Sequence, residues 1–154
     1  MMKHRFLVGA LAVAAGVLAS ADIAARAYSP VQGEGRGSPS NAVIGTMTIA
    51  TSLKADGKAL APGTYEVRLS NDVVKPAVGQ APGAERWVEF VKSGQVVGRE
   101  VATVVDAQDI AQIAKGRRPK ENSTSVEMLK GGDYWRVWIN KGGTNYIINM
   151  PPAA

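Results

Sequence analysis

Cysteine is absent from the 154-residue chain, and histidine occurs once, as His4. Disulfides and a thiolate nucleophile are therefore excluded, and so, once His4 is assigned to a leader, are a Ser-His-Asp triad and an imidazole proton shuttle. The common zinc and copper ligand sets lose their ligands for the same reason. No dinucleotide-binding glycine fingerprint and no P-loop is present; the glycines fall at turns. Asp106 and Asp109 lie three apart, but the further acids of a calcium-binding EF-hand loop are missing. No metal, cofactor or catalytic residue is expected, and the chain does not read as an enzyme.

Long hydrophobic runs are also scarce. The one candidate, Phe6 to Leu18, has 13 residues, fewer than the roughly 20 that a membrane-spanning helix needs. It follows Lys3 and Arg5 and leads to Ala19-Ser20-Ala21, the pattern of a secretory signal peptide spanning residues 1–21, with a second cleavage site after Ala27. No cysteine follows to accept a lipid. The expected product is exported to the periplasm or beyond, with no integral membrane segment. Its charge falls from +5 to +3, because Lys3 and Arg5 are two of the 18 basic residues set against 13 acids. A chain of this length can bury a core without disulfides.

Residues 28–42 are rich in Gly, Pro and Ser and read as a flexible linker. From 43 to 150 short β-prone runs alternate with turn signals. The expectation is an all-β domain, a single antiparallel immunoglobulin-like β-sandwich of about seven or eight strands with one short helix. Thr46 to Leu53 alternates in polarity, Asp56-Gly57 marks a turn, and Thr64 to Leu69 puts Tyr65, Val67 and Leu69 on one face. The 71–86 stretch reads as a long loop with Val73-Val74 as a short edge. Trp87–Lys92 and Val96–Val105 form a hairpin; a Ser93-Gly94-Gln95 loop sets Glu89 opposite Arg99, and Gly98 suggests a bulge. Asp106 to Lys115 suits two or three helical turns, capped by Asp106, with Ile110 and Ile113 inward.

The run Gly57-Lys58-Ala59-Leu60-Ala61-Pro62-Gly63-Thr64-Tyr65-Glu66-Val67 resembles the Pro-x-Gly-Thr-Tyr strand entry of secreted bacterial β-sandwich domains, among them carboxypeptidase-regulatory-like modules. Pro62 directly precedes Gly63, one residue tighter than the usual spacing. The likeness covers eleven residues and implies a fold class, not an activity.

The C-terminal meander carries the most information. A Gly131-Gly132 turn sets Glu127 opposite Arg136 and Val126 opposite Val137, and a turn across Lys141–Thr144 sets Ile139 opposite Tyr146. One face is then Val126, Met128, Trp135, Val137, Ile139, Tyr146, Ile148 and Met150, the expected core. The other combines aromatic and hydrogen-bonding side chains, and Glu127, Tyr134, Arg136, Trp138, Asn145 and Asn149 are its candidate ligand-binding residues. Flat rings beside polar groups suit a glycan or an envelope-protein partner, or assembly into a homo-oligomer. Lys115, Arg117, Arg118 and Lys120 form a candidate anion-binding cluster. No aromatic interrupts that cluster, so nucleic acid is not expected. For a carboxylate hydrolase the available pairs are Glu89 with Glu100 and Glu127 with Asp133. The expected function is a non-catalytic envelope module, with sugar binding, and then glycoside hydrolysis, as alternatives.

Overall fold

A computed structural model describes residues 41–153. The proposed leader and most of the linker lie outside the described residues. Nine strands are formed: β1 (Val43–Ile49), β2 (Leu53–Ala55), β3 (Lys58–Leu60), β4 (Gly63–Leu69), β5 (Glu85–Lys92), β6 (Gln95–Val105), β7 (Ser123–Met128), β8 (Trp135–Lys141) and β9 (Thr144–Met150). One single-turn helix, α1 (Ile110–Ile113), stands between β6 and β7. The class is all-β and antiparallel, and no helix of the described residues is long and apolar enough to cross a membrane.

Seven strands form one continuous sheet in the order β1-β4-β5-β6-β9-β8-β7. It rolls until β1 packs against β7 and β8, giving a near-barrel. The two faces of a sandwich are here two walls of one sheet, joined where β6 bonds β9 through Thr103–Val105. Every neighbouring pair is antiparallel, so with seven strands the two edge strands run the same way. Closure is by side-chain packing, without a β1–β7 ladder among the described residues. Gly45 makes the approach possible: a Cβ there would lie 2.9 Å from Ile139 Cγ2 and 3.0 Å from Thr124 Oγ1.

Below Thr103 the walls separate, and the β2–β3 hairpin fills the gap between β6 and β9. Lys54 N–H donates to Pro151 O at 2.8 Å and Ala153 N–H to Ser52 O at 2.9 Å, lacing the hairpin to the chain end. Leu60 rests on Gly98, where an added Cβ would meet Leu60 Cδ2 at 2.9 Å. Leu53, Ala55 and Leu60 thereby join Val67, Phe90, Val137, Tyr146 and Ile148 in the main core.

The expected pairings of β5 with β6 and of β7, β8 and β9 are all present. The β5–β6 turn is shorter than anticipated. Ser93 (φ 51°) and Gly94 (φ 77°) make a two-residue turn with both residues left-handed, the twist that hairpins favour. Glu89 still faces Arg99 because a bulge after Val96, next to Gly98, restores the one-residue offset. Thr46–Leu53 is not one strand: β1 ends at Ile49 and Leu53 opens β2. No strand forms at Val73-Val74. Residues 41 and 42, assigned to the linker from composition, already extend β1, since Asn41 N–H bonds Leu69 O at 2.8 Å. Met128, expected in the core, is 58% exposed at the end of an edge strand.

Gly45→Val should lower unfolding free energy by about 1–3 kcal/mol through overpacking against Ile139 and Thr124, read from urea melts. An unchanged midpoint would mean that the β1–β7 seam is looser than described.

Candidate functional site

Strand alternation places the connections at two ends. The 70–84 and 106–122 connections, the longest in the fold, leave from the same end, which also carries the Gly142-Gly143 turn. Long connections in a compact domain commonly carry function, and barrel mouths commonly hold ligands.

The outer face of β6, β9 and β8 near this end is apolar at three places: Val105, Ile147 and Trp138. A strand face turned to water would not hold all three. Ile110 and Ala114 cover them, forming a second small core. Residues 110 and 114 lie one helical turn apart and share a face. The helix is shorter than the sequence suggested, and its N-cap is Asp109 rather than Asp106, with no side-chain capping bond. At Ala114 the backbone is already extended (φ −127°, ψ 120°). Ile113, expected to point inward, is consequently turned out and 60% exposed.

This cover corrects the reading of the aromatic-polar face as an open platform. Trp138 is 1% exposed and Asn145 is fully buried. Trp138 Nε1–H donates to Asn145 Oδ1 at 2.9 Å, while Asn145 Nδ2 donates to Gly143 O at 3.0 Å and Val105 O at 3.4 Å. Burying this amide and indole costs little because their polar atoms are paired. Arg136 stands over the Trp138 ring, 5.2 Å from its centroid, and pairs with Glu127. Its Nη2 also donates to Lys115 O at 2.9 Å, holding the chain just beyond α1. Asn140, likewise buried, donates to Pro119 O at 3.1 Å. Four of the six candidate residues thus form one connected group, and the group fastens the 106–122 connection. Tyr134 and Asn149 are exposed apart from it, Tyr134 in the turn at the opposite end.

The acids proposed for hydrolysis are not gathered. Glu89 accepts from Ser70 Oγ at 3.0 Å on the outer face, and Glu100, one residue out of phase across the strand pair, accepts from Asp56 N–H at 2.8 Å. Glu127 is committed to Arg136, and Asp133 sits exposed in the β7–β8 turn. Among the described residues no group of three or more His, Cys, Asp or Glu could hold a metal ion.

A wider concavity than the one beside Trp138 lies elsewhere, between residues 81–84, the end of β6 and α1, with a volume near 800 Å³. Val104, Ile113 and Pro82 supply apolar surface, and Arg86, Asp106 and Asp109 supply charge. None of these three charged side chains forms an ion pair among the described residues. Sequence reading missed the groove because its walls come from a loop and a helix whose mutual approach no local pattern encodes. The legible sign was the set Val105, Trp138 and Ile147 on a nominally wet face, which demanded a cover.

Comparison with known proteins adds no relative: no family model, no curated protein and no solved structure matches the chain.

Trp138→Ala should cost about 3–5 kcal/mol, the range for emptying a buried tryptophan site. A thermal-unfolding shift typical of an exposed residue would contradict its placement under α1.

Proposed function

We propose that the protein is an exported, non-catalytic binding module of the cell envelope that takes its ligand in the groove between the 70–84 and 106–122 connections. The observation that carries this reading is the groove itself, lined by apolar side chains together with charges of both signs that make no ion pair among the described residues. Arg86 offers a planar fork for a carboxylate, Asp106 and Asp109 offer acceptors for an ammonium group, and Val104 and Ile113 favour an apolar segment between them. A zwitterionic envelope component has this composition. Non-catalytic action is supported by the engagement of three of the four acids considered for hydrolysis: Glu89 with Ser70, Glu100 with Asp56 N–H and Glu127 with Arg136.

The alternative of sugar binding through the meander face is weakened by the burial of Trp138, since stacking on a ring needs its face open. Glycoside hydrolysis is weakened further, because its two acids must flank one cleft at roughly 5–10 Å.

Soluble peptidoglycan fragments, which carry carboxylates and ammonium groups on one small scaffold, are the probe of choice. Titrated into the 15N-labelled protein, they should shift the amide signals of residues 81–86 and 103–113. Arg86→Ala should weaken the binding about tenfold or more, the loss of one charge-assisted hydrogen-bonded pair. Shifts confined to Tyr134 and Asn149, or turnover of the fragments, would overturn the reading.

A further inference from the structure

The 106–122 connection has a second surface, on the far side of α1 from the groove. Lys115, Arg117, Arg118 and Lys120 are all exposed, and none of them forms an ion pair among the described residues. Arg118 spends one N–H on Ala107 O at 3.3 Å and keeps the rest of its guanidinium free. Four cations along six residues of loop normally repel, and a loop of that kind has no reason to be ordered.

Here the backbone beneath them is held at successive points. Arg136 binds Lys115 O and Asn140 binds Pro119 O, as above. Ser123 Oγ–H donates to Lys120 O at 2.7 Å, and Gly142 N–H donates to Asn122 Oδ1 at 3.2 Å. Pro119 itself is buried. At Gly116 (φ +131°) a Cβ would fall 2.8 Å from Arg136 Nη2, so a side chain there would strain the backbone and crowd the clamp. Lys115 and Arg118 also flank a shallow cavity of about 370 Å³ floored by Ile110, Ala111, Ala114 and Trp138. A strip whose backbone is fixed in advance has only side-chain freedom left to lose when it binds.

We propose that residues 115–120 are a docking strip for a linear polyanionic glycan, one that carries sulfate, phosphate or uronate groups. The strip is irregular backbone rather than helix, with a bend at Gly116, and is at most roughly 18 Å long. Its four cations fall within six residues, a density that a linear anionic chain can match. Asp106 and Asp109 stand across α1 and Glu121 follows the strip, so a flat anionic surface pressed on this end would meet acids as well. Arginine forks match the bidentate geometry of sulfate and phosphate esters. No aromatic side chain lies within the strip to stack nucleobases. The inference does not depend on the groove, whose residues it leaves untouched.

The test is isothermal titration of the protein with a heparin oligosaccharide at low and high salt. We expect binding that weakens with salt, and a loss of at least tenfold in the triple variant Arg117→Ala, Arg118→Ala, Lys120→Ala. A control that removes the same charge from exposed lysines elsewhere, Lys54→Ala, Lys58→Ala, Lys75→Ala, should stay within about threefold of the parent, since screened distant charges act weakly. Absence of binding, or an equal loss in the control, would overturn the proposal. Tighter binding to phosphatidylglycerol vesicles, or to single-stranded DNA, would also overturn it, in favour of a membrane or a nucleic acid.

Discussion

The packing of Ile110 and Ala114 onto Trp138, Ile147 and Val105 is the interaction on which the functional end of this protein depends. Without it, the 106–122 connection has no reason to lie against the sheet: the single turn of α1 is far too short to be stable alone. With it, a strand face that would otherwise expose a tryptophan becomes an interior, and Arg136 and Asn140 are drawn into binding backbone carbonyls rather than solvent. The docked connection then serves twice, as one wall of the groove and as the frame of the basic strip.

A second constraint is geometric. Seven antiparallel strands cannot close with an antiparallel ladder, so the sheet closes by contact at Gly45 and is filled by the β2–β3 hairpin where β6 and β9 part. Both joins of the walls, Thr103–Val105 against Asn145–Ile147 and Gly45 against Thr124, lie toward the loop end. The barrel is narrow where the long connections emerge and splayed at the other end. The loops that shape the groove are therefore carried on the tighter part of the scaffold.

Three of the seven strand pairings, β5–β6, β7–β8 and β8–β9, were legible in the sequence. Period-two alternation with glycine turns specifies register strongly when one face is buried, since a one-residue slip would expose the whole core face. The β7-β8-β9 pairings follow from that alone. The β5–β6 pairing was reached through a charge pair, Glu89 with Arg99, whose partners in the structure are different: Arg99 binds Asp56 and Asp72 and stacks over Trp87, while Glu89 binds Ser70. The turn and the bulge each shift the register by one, and their sum matches the longer loop that was assumed.

What the sequence did not show was which elements meet without being neighbours in a ladder. Four of the six aromatic and polar candidates touch one another, but whether their face is open depends on the path of a connection with no periodicity of its own. The groove escaped notice for the same reason.

Limited trypsin digestion tests the docking of the 106–122 connection most directly, because the cleavable bonds after Lys115, Arg117 and Lys120 lie within it. The parent protein should resist cleavage there under native conditions, while Trp138→Ala should be cut at those bonds before the rest of the domain. Rapid cleavage of the parent at the same bonds, with the barrel still folded, would contradict that docking.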